Sequence, residues 1–468
     1  MTELKSAAAA LGTERIRRLL VQYALPAIVA MTASSLYNMV DSIFIGHGVG
    51  PLAISGLALT FPLMNLAAAF GSLVGVGAAT LISMRLGQRD YATAQNVLGN
   101  VVSLNLIIGV AFGLLTLVFL DPILYFFGAS EVTVGYAREY MVVILAGNVV
   151  THMYLGLNAV LRASGHPRKA MQATITTVVI NTLLDPLFIY GFGWGIRGAA
   201  VATVLAQVIS LAWQLHILSD RSELLRFRRG IYRLRRKIVR DVVAIGMSPF
   251  LMNLAACFIV ILINKGLKQY GGDLQIGAYG IVNRVAFFFV MIVMGLNQGM
   301  QPIAGYNFGA RQYDRVLRVL RLTMIGATCV TTLGFLVGEA MPRLAVGLFT
   351  TDPELIRLSV EGMRIVFVCF PIIGFQMVAT NFFMSIGMAG KSIFLSLSRQ
   401  LLFLMPGLLV LPRIFDLHTP WDGSWGVWCA MPLSDLLASI VAFAMLTCQL
   451  RKFRALVAAR SAEDRNRI

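Results

Sequence analysis

Twelve apolar stretches, each about 20 residues or longer, follow one another along this chain with only short basic tethers between them. A stretch of that length crosses the hydrocarbon of a bilayer as a helix. Hydrocarbon offers no partner to a backbone N–H or C=O, so only helices and closed barrels can span it. Barrel strands alternate apolar and polar residues at every second position, whereas segments such as Val101 to Leu120 are apolar all round. The fold class is therefore all-α and integral to the membrane. Composition agrees, because 13% charged residues, against roughly 25% in soluble domains, leave too little polar surface for a water-soluble protein.

The expected spans are residues 19–46, 52–82, 93–120, 137–161, 170–191, 196–218, 242–267, 275–305, 317–340, 359–387, 392–415 and 425–450. The net charge of +17 does not point to nucleic acid, because the Lys and Arg sit in the tethers and not along one surface. Of the 39, 29 fall on the side that holds both termini and eight on the other, while Arg284 and Arg399 lie inside spans. That imbalance places both termini and the linker 219–241 in the cytoplasm. Cys257, Cys329, Cys369, Cys429 and Cys448 all lie in apolar segments and read as buried apolar residues. No cleavable leader is expected, since the polar start runs through Arg15, Arg17 and Arg18 straight into a full-length span.

The linker divides a repeat. LGQRDY, with Gly87 and Tyr91, matches FGARQY, with Gly309 and Tyr313, at an offset of 222. The same offset maps Gly165 onto Gly387, while Pro26 maps onto Pro249 at 223 and Gly198 onto Gly426 at 228. Six spans per half bring both halves in from the same side, so the repeat is parallel about an axis along the membrane normal. The expected organisation is a tail at 1–18, a six-helix lobe at 19–218, the linker, a second lobe at 242–450 and a tail at 451–468. In transporters built from such repeats the substrate site lies at the repeat interface.

Ionisable side chains inside spans are expensive and are functional candidates for that reason. Here they are Asp41, Asp185, Arg284, Arg399 and Asp435, and each has a plainer reading as an interfacial residue or a packing pair. Asp41 and Asp185 share a depth, both in outer parts of spans that begin inside. Asn181 precedes Asp185 by one helical turn, and Pro186 withholds a backbone N–H, leaving a carbonyl free to meet a cation. Thr203 offers a hydroxyl at similar depth. The second half carries Asn264 and Gly407 at the positions of Asp41 and Asp185, so the carboxylate pair belongs to the first half alone. The second half has instead Arg284, Gln298, Gln301, Arg399, Gln400 and Asp435, as a balancing network or as substrate contacts. Met252, Met291, Met294 and Met300 read first as packing residues, and as flexible contacts for varied ligands second.

Enzymatic chemistry finds no support. The five histidines (His47, His152, His166, His216 and His418) are scattered, with no HExxH, and no phosphate-binding P-loop is present, which argues against ATP as the energy source. The paired loops LGQRDY and FGARQY end helices at glycine and carry the basic residue expected on the cytoplasmic side.

Several segments together resemble the multidrug and toxic compound extrusion (MATE) family. They are LPAIVAMTASSLYNMVDSIFIG, LGQRDY, LRASGHP and NTLLDPLFIYGFGWGIRGAAVAT in the first half, with NRVAFFFVMIVMGLNQGMQPIAGYNFGARQY, SLSRQ and WGVWCAMPLSD in the second. The resemblance runs from about residue 15 to residue 450. It implies a V-shaped pair of six-helix lobes around a central cleft, with alternating access and efflux of amphipathic, often cationic, drugs or metabolites in exchange for sodium ions or protons. It carries a cation-binding role onto Asp41, Asn181, Asp185 and Thr203, and less directly onto Tyr37 and Asn158. Asn158 sits near the cytoplasmic edge of its span, at a different depth from the others. If that architecture holds, the four methionines border the cleft together with Arg284, Gln298, Arg399 and Asp435. No cofactor is expected beyond the coupling ion, and the protein is expected to be a monomer in the bacterial inner membrane. The alternative is the same fold exporting a specific metabolite or flipping a lipid-linked sugar. A pyrophosphate headgroup would need a basic cavity, and only two intramembrane Arg stand against three Asp.

Overall fold

The computed structural model describes residues 4–418, 420 and 422–465. The outermost residues of the two expected tails, 1–3 and 466–468, lie outside it. Among the described residues the chain is helical, with no strand. The first half holds α1 (Leu4–Thr13), α2 (Ile16–Gly48), α3 (Pro51–Gly87), α4 (Tyr91–Val118), α5 (Leu120–Phe126), α6 (Val134–Ala146), α7 (Asn148–Ala163), α8 (Pro167–Pro186) and α9 (Gly195–Ser219). The second half follows with α10 (Arg236–Gly309), α11 (Tyr313–Ala340), α12 (Pro342–Gly347), α13 (Pro353–Phe367) and α14 (Phe370–Ser385). It closes with α15 (Ala389–Leu397), α16 (Met405–His418) and α17 (Gly423–Arg465). Single π-helical turns follow α8 at Leu187–Gly191 and α15 at Ser398–Leu404.

Among the described residues, ten helical segments are long and apolar enough to cross a membrane, or twelve when each of two bent pairs counts as one span. The bent pairs are α6 with α7, at 56°, and α13 with α14, at 53°. They fall on the expected spans 137–161 and 359–387. Each break has a local cause. At Gly147 the chain passes so close to Val204 that a Cβ would stand 2.6 Å from its side chain. Pro371, at the start of α14, has no N–H to continue the helix behind it. α10 is two spans, Arg236–Gly272 and Leu274–Gly309, parted by Gly272 at φ 76°. Within the two expected tails, α1 is helical with Leu11 fully buried, and α17 continues its span to Arg465.

The chain forms two compact units, whose borders fall between α1 and α2 and inside α2 and α10, and not in the linker. One comprises residues up to Glu14 with Val29–Phe250, and the other Arg15–Ile28 with Leu251–Ile468. The leading turns of each half therefore pack with the opposite half of the sequence. Glycine makes this seating possible in both units. In the first, a Cβ on Gly246 of α10 would stand 1.8 Å from the Leu73 carbonyl oxygen of α3. In the second, a Cβ on Gly299 would stand 2.6 Å from the backbone of Ala24 of α2. Gly77 and Gly299, both at such contacts, are separated by the repeat offset of 222.

The paired loops are built alike down to their hydrogen bonds. α3 and α10 end at Gly87 and Gly309, but the left-handed step that turns each chain falls on Arg89 (φ 60°) and Arg311 (φ 57°). Asp90 N–H reaches back to the Arg85 carbonyl at 2.9 Å, and Gln312 N–H to that of Asn307 at 2.8 Å. These are Schellman closures, which satisfy the last helical carbonyls.

The linker is clamped at its start. Glu223 accepts from His166 Nε2 and from Lys169 Nζ, each at 2.7 Å. Donation from His166 first, and then from Lys169, holds its carboxyl at about 2, below the ordinary 4.5, against the opposing effect of burial. A depressed folded value stabilises the fold fully above pH 4.5, and that gain is lost as pH falls through about 2. Glu223→Gln is expected to cost roughly 1–2 kcal/mol near neutral pH, with the melting curves of the two proteins converging as pH approaches 2. Gly246→Ala should be far harsher, at roughly 3 kcal/mol or beyond, whereas Gly135→Ala, where a Cβ meets nothing within 4 Å, should leave the thermal melt nearly unmoved.

Candidate cation site in the first unit

Four elements bring polar side chains to one buried point of the first unit. α2 supplies Tyr37 and Asp41, one turn apart on a single face. α8 supplies Asn181 and Asp185, again one turn apart, just before Pro186 and the π-helical turn. α9 supplies Thr203, and α6 supplies Tyr140. Asp41 and Thr203 are 5% exposed, Asn181 and Tyr140 1% and Asp185 0%.

Thr203 is the hub. Its hydroxyl donates to the Ala199 carbonyl at 3.0 Å and accepts from Asn181 Nδ2 at 3.2 Å. Tyr37 Oη lies 3.3 Å from it, and Tyr140 stands beside the cluster. Asn181 Nδ2 also donates to Asp185 Oδ1 at 3.2 Å. The carboxyl groups of Asp41 and Asp185 are within hydrogen-bonding reach of each other. Three oxygens of this cluster are buried without a hydrogen-bond partner: Asp41 Oδ1, Asn181 Oδ1 and Asp185 Oδ2. Two carboxylates this close, shielded from water and with no Lys or Arg bridging them among the described residues, are tolerated only where a cation lies between them or a proton neutralises one. The donors are all oxygen, which suits a hard ion.

Asn158 does not join this cluster. It donates to the Ala170 carbonyl at 2.9 Å and to Thr174 Oγ1 at 3.4 Å, and it accepts from Arg162. Ala170 precedes Asn181 by eleven residues, or roughly 16 Å of helix. Between the two levels, Tyr154 contacts Thr174 and Thr177, and Thr177 donates to Ser210 Oγ at 2.7 Å. One face of α8 is thus polar from Thr174, which Asn158 of α7 contacts, up to Asp185. Tyr140, Tyr154, Thr177 and Ser210 escaped the sequence reading because they carry no charge and sit in apolar segments. The one-turn spacing Thr174–Thr177–Asn181–Asp185 was the signal that could have found part of this face.

The candidates of the second half come together only in part. Arg399, in its π-helical turn, donates through Nε to Asp435 Oδ1 at 2.5 Å, with Asp435 almost fully buried. Gln400, next to Arg399, buries an Oε1 that has no partner. Arg284 is exposed on its helix. Gln301 is buried and Gln298 half-buried, while Met252 and Met294 are half-buried. Met300 is 0% exposed and Met291 9%, so both serve as packing residues in this conformation.

An all-helical membrane bundle with a carboxylate pair sunk among its spans is the architecture of a transporter. The chain belongs to the MatE family, whose model matches residues 26–187 and 247–409, one stretch in each half. It is 26% identical to Multidrug export protein MepA of Staphylococcus haemolyticus over 92% of this chain and 93% of that protein. A crystal structure of MATE in the bent conformation superposes with a TM-score of 0.89, at 25% identity, over 97% of this chain and 99% of that one. A solved chain described as protein A matches at 35% identity with a TM-score of 0.85, over 93% and 96% of the two chains.

Thr203→Val keeps the shape of the hub and removes its hydroxyl, leaving Asn181 Nδ2 and Tyr37 Oη short of a partner. Thermal or chemical unfolding in detergent should register a loss of about 1–3 kcal/mol. An unchanged melting temperature would mean that the hydroxyl is not the acceptor these groups share.

Proposed function

We propose that this chain is a secondary active multidrug efflux antiporter. It exports amphipathic, often cationic, small molecules by alternating access, in exchange for sodium ions or protons. The observation that carries the reading is the buried Asp41–Asp185 pair with three unmatched oxygens around it. The similarity to a protein named for multidrug export supports the class of cargo.

In this reading the coupling ion settles between Asp41 and Asp185, with Asn181 Oδ1 and the Thr203 hydroxyl as further oxygen donors. Tyr37 and Tyr140 hold the hub in place and close the site against water. Loading the ion neutralises the pair and releases the demand for a counter-charge, which biases the first unit between two arrangements. The second half has no such pair, so coupling is asymmetric. There, Arg399 and Asp435 neutralise each other, which favours cationic or neutral cargo over a pyrophosphate-bearing lipid. The 29-to-eight distribution of Lys and Arg supports cytoplasmic termini, in the inner membrane of a bacterium, and the protein acts as a monomer.

Vesicles loaded with ethidium, with sodium and proton gradients imposed separately, test this directly. Efflux should follow one gradient, and Asp41→Asn or Asp185→Asn should reduce it at least about tenfold, the effect of losing roughly 1.4 kcal/mol of coupling. Gradient-driven efflux undiminished by both substitutions would remove the pair from the mechanism. No efflux by the wild type under either gradient would overturn the multidrug reading and leave the same fold serving a specific cargo.

A further inference from the structure

The linker between the halves is strapped along α4 by reciprocal hydrogen bonds. Gln95 accepts from the Arg226 N–H at 3.2 Å and donates to the Arg226 carbonyl. Asn100 donates to the Arg233 carbonyl at 3.2 Å and accepts from the Arg235 N–H at 2.9 Å. Ser103 donates to the Tyr232 carbonyl at 2.7 Å. Three side chains of one helix thus supply the partners that loop backbone otherwise takes from water. Gly99 lets the strap lie directly on the helix, for a Cβ there would meet the Ile231 carbonyl oxygen at 2.2 Å.

Two strap residues, Phe227 and Tyr232, stack with ring centroids 6.5 Å apart and form one wall of a groove of about 300 Å³. The remaining walls come from spans and include Val102 of α4, Val149 and Met153 of α7, and Leu211 of α9. On the same strap Arg228, Arg229, Arg233, Arg235, Arg236 and Lys237 are exposed. The carboxylates of this region are engaged elsewhere: Asp220 accepts from the Ser222 N–H, Glu223 pairs with His166 and Lys169, and Asp241 with Arg240. An apolar slot among membrane spans therefore opens beneath a cluster of cations that have no carboxylate partner among the described residues.

The geometry points to a binding site for an anionic phospholipid, with an acyl chain in the groove and the phosphate on the guanidinium groups of Arg228, Arg229 and Arg233. The occupant is a lipid because the walls are apolar and belong to membrane-crossing helices. It is anionic because a zwitterion would fill the slot and leave the cations uncompensated. Guanidinium is suited to phosphate, since its planar fork gives two parallel N–H···O bonds. Tyr232, 43% exposed, is the kind of ring that settles at headgroup level. Basic segments beside a membrane draw anionic lipid headgroups in this way. The ligand would tie linker, α4, α7 and α9 together, independently of what the chain transports.

Native mass spectrometry of the delipidated full chain, with phosphatidylglycerol or phosphatidylcholine of equal chain length added, tests the site. Wild type should retain phosphatidylglycerol about tenfold better, as two or three surface cations together can supply. Arg228→Gln/Arg229→Gln/Arg233→Gln should abolish the preference without lowering the melting temperature in detergent. Val102→Trp, which fills the slot, should reduce retention of phosphatidylglycerol with the arginines intact. Glycerol phosphate, the headgroup without acyl chains, should fail to displace the lipid. Equal retention of the two lipids by wild type, or a preference that survives the triple substitution, would overturn the proposal. Displacement by glycerol phosphate would overturn it too, by reducing the site to a surface anion patch.

Discussion

Hydrocarbon forms no hydrogen bonds, so every N–H and C=O that enters it must find its partner inside the protein. Long helices meet that demand over most of the chain, and the departures from helix are few and accounted for. The two bent pairs break at Gly147 and before Pro371, where a close neighbour or a missing N–H rules out a straight helix. π-helical turns follow Pro186 and Leu397, directly beside Asp185 and at Arg399. The irregular backbone therefore falls next to the charged side chains buried deepest, as expected where backbone geometry is adjusted to serve a site.

The repeat and its exceptions divide stability from function. Glycines and loop turns recur at a fixed offset because both halves solve the same packing problem: a helix from one half seated against a glycine of the other, and a Schellman closure on an arginine. The carboxylates do not recur. Asn264 and Gly407 stand where Asp41 and Asp185 would be, and the ion pair of the second half, Arg399 with Asp435, is self-neutralising. Two units with one scaffold thus differ in charge balance, with one pair lacking a counter-charge and the other complete. Under the proposed function, that difference confines the ion-coupling step to the first unit.

The linker illustrates how charge and packing combine. Its basic residues make up a large part of the charge asymmetry along the chain, and Gln95, Asn100 and Ser103 hold the backbone that carries them at Arg226, Tyr232, Arg233 and Arg235. A tether free in solution would spread its cations over many positions. Strapped to α4, it concentrates them beside an apolar groove.

The sequence by itself determined the helical membrane class, the two halves, ten of the spans as single helices and the likeness to the family. It also singled out Asp41, Asn181 and Asp185, because a charge or an amide in an apolar span is costly wherever it lies and so stands out in one dimension, while Thr203 followed from its depth and from the family resemblance. Tertiary structure alone decided which of these residues meet. It separated Asn158 from the cluster by three turns of α8, brought in Tyr140 from a helix with no local signal, and buried Met291 and Met300. It also exchanged the leading turns of the two halves, which no charge count or hydropathy window reveals. Hydrophobicity and charge are properties of single residues and their neighbours in sequence, and so are legible there. Contacts between helices depend on where glycines allow backbones to approach, and that is settled only when all the helices are packed together.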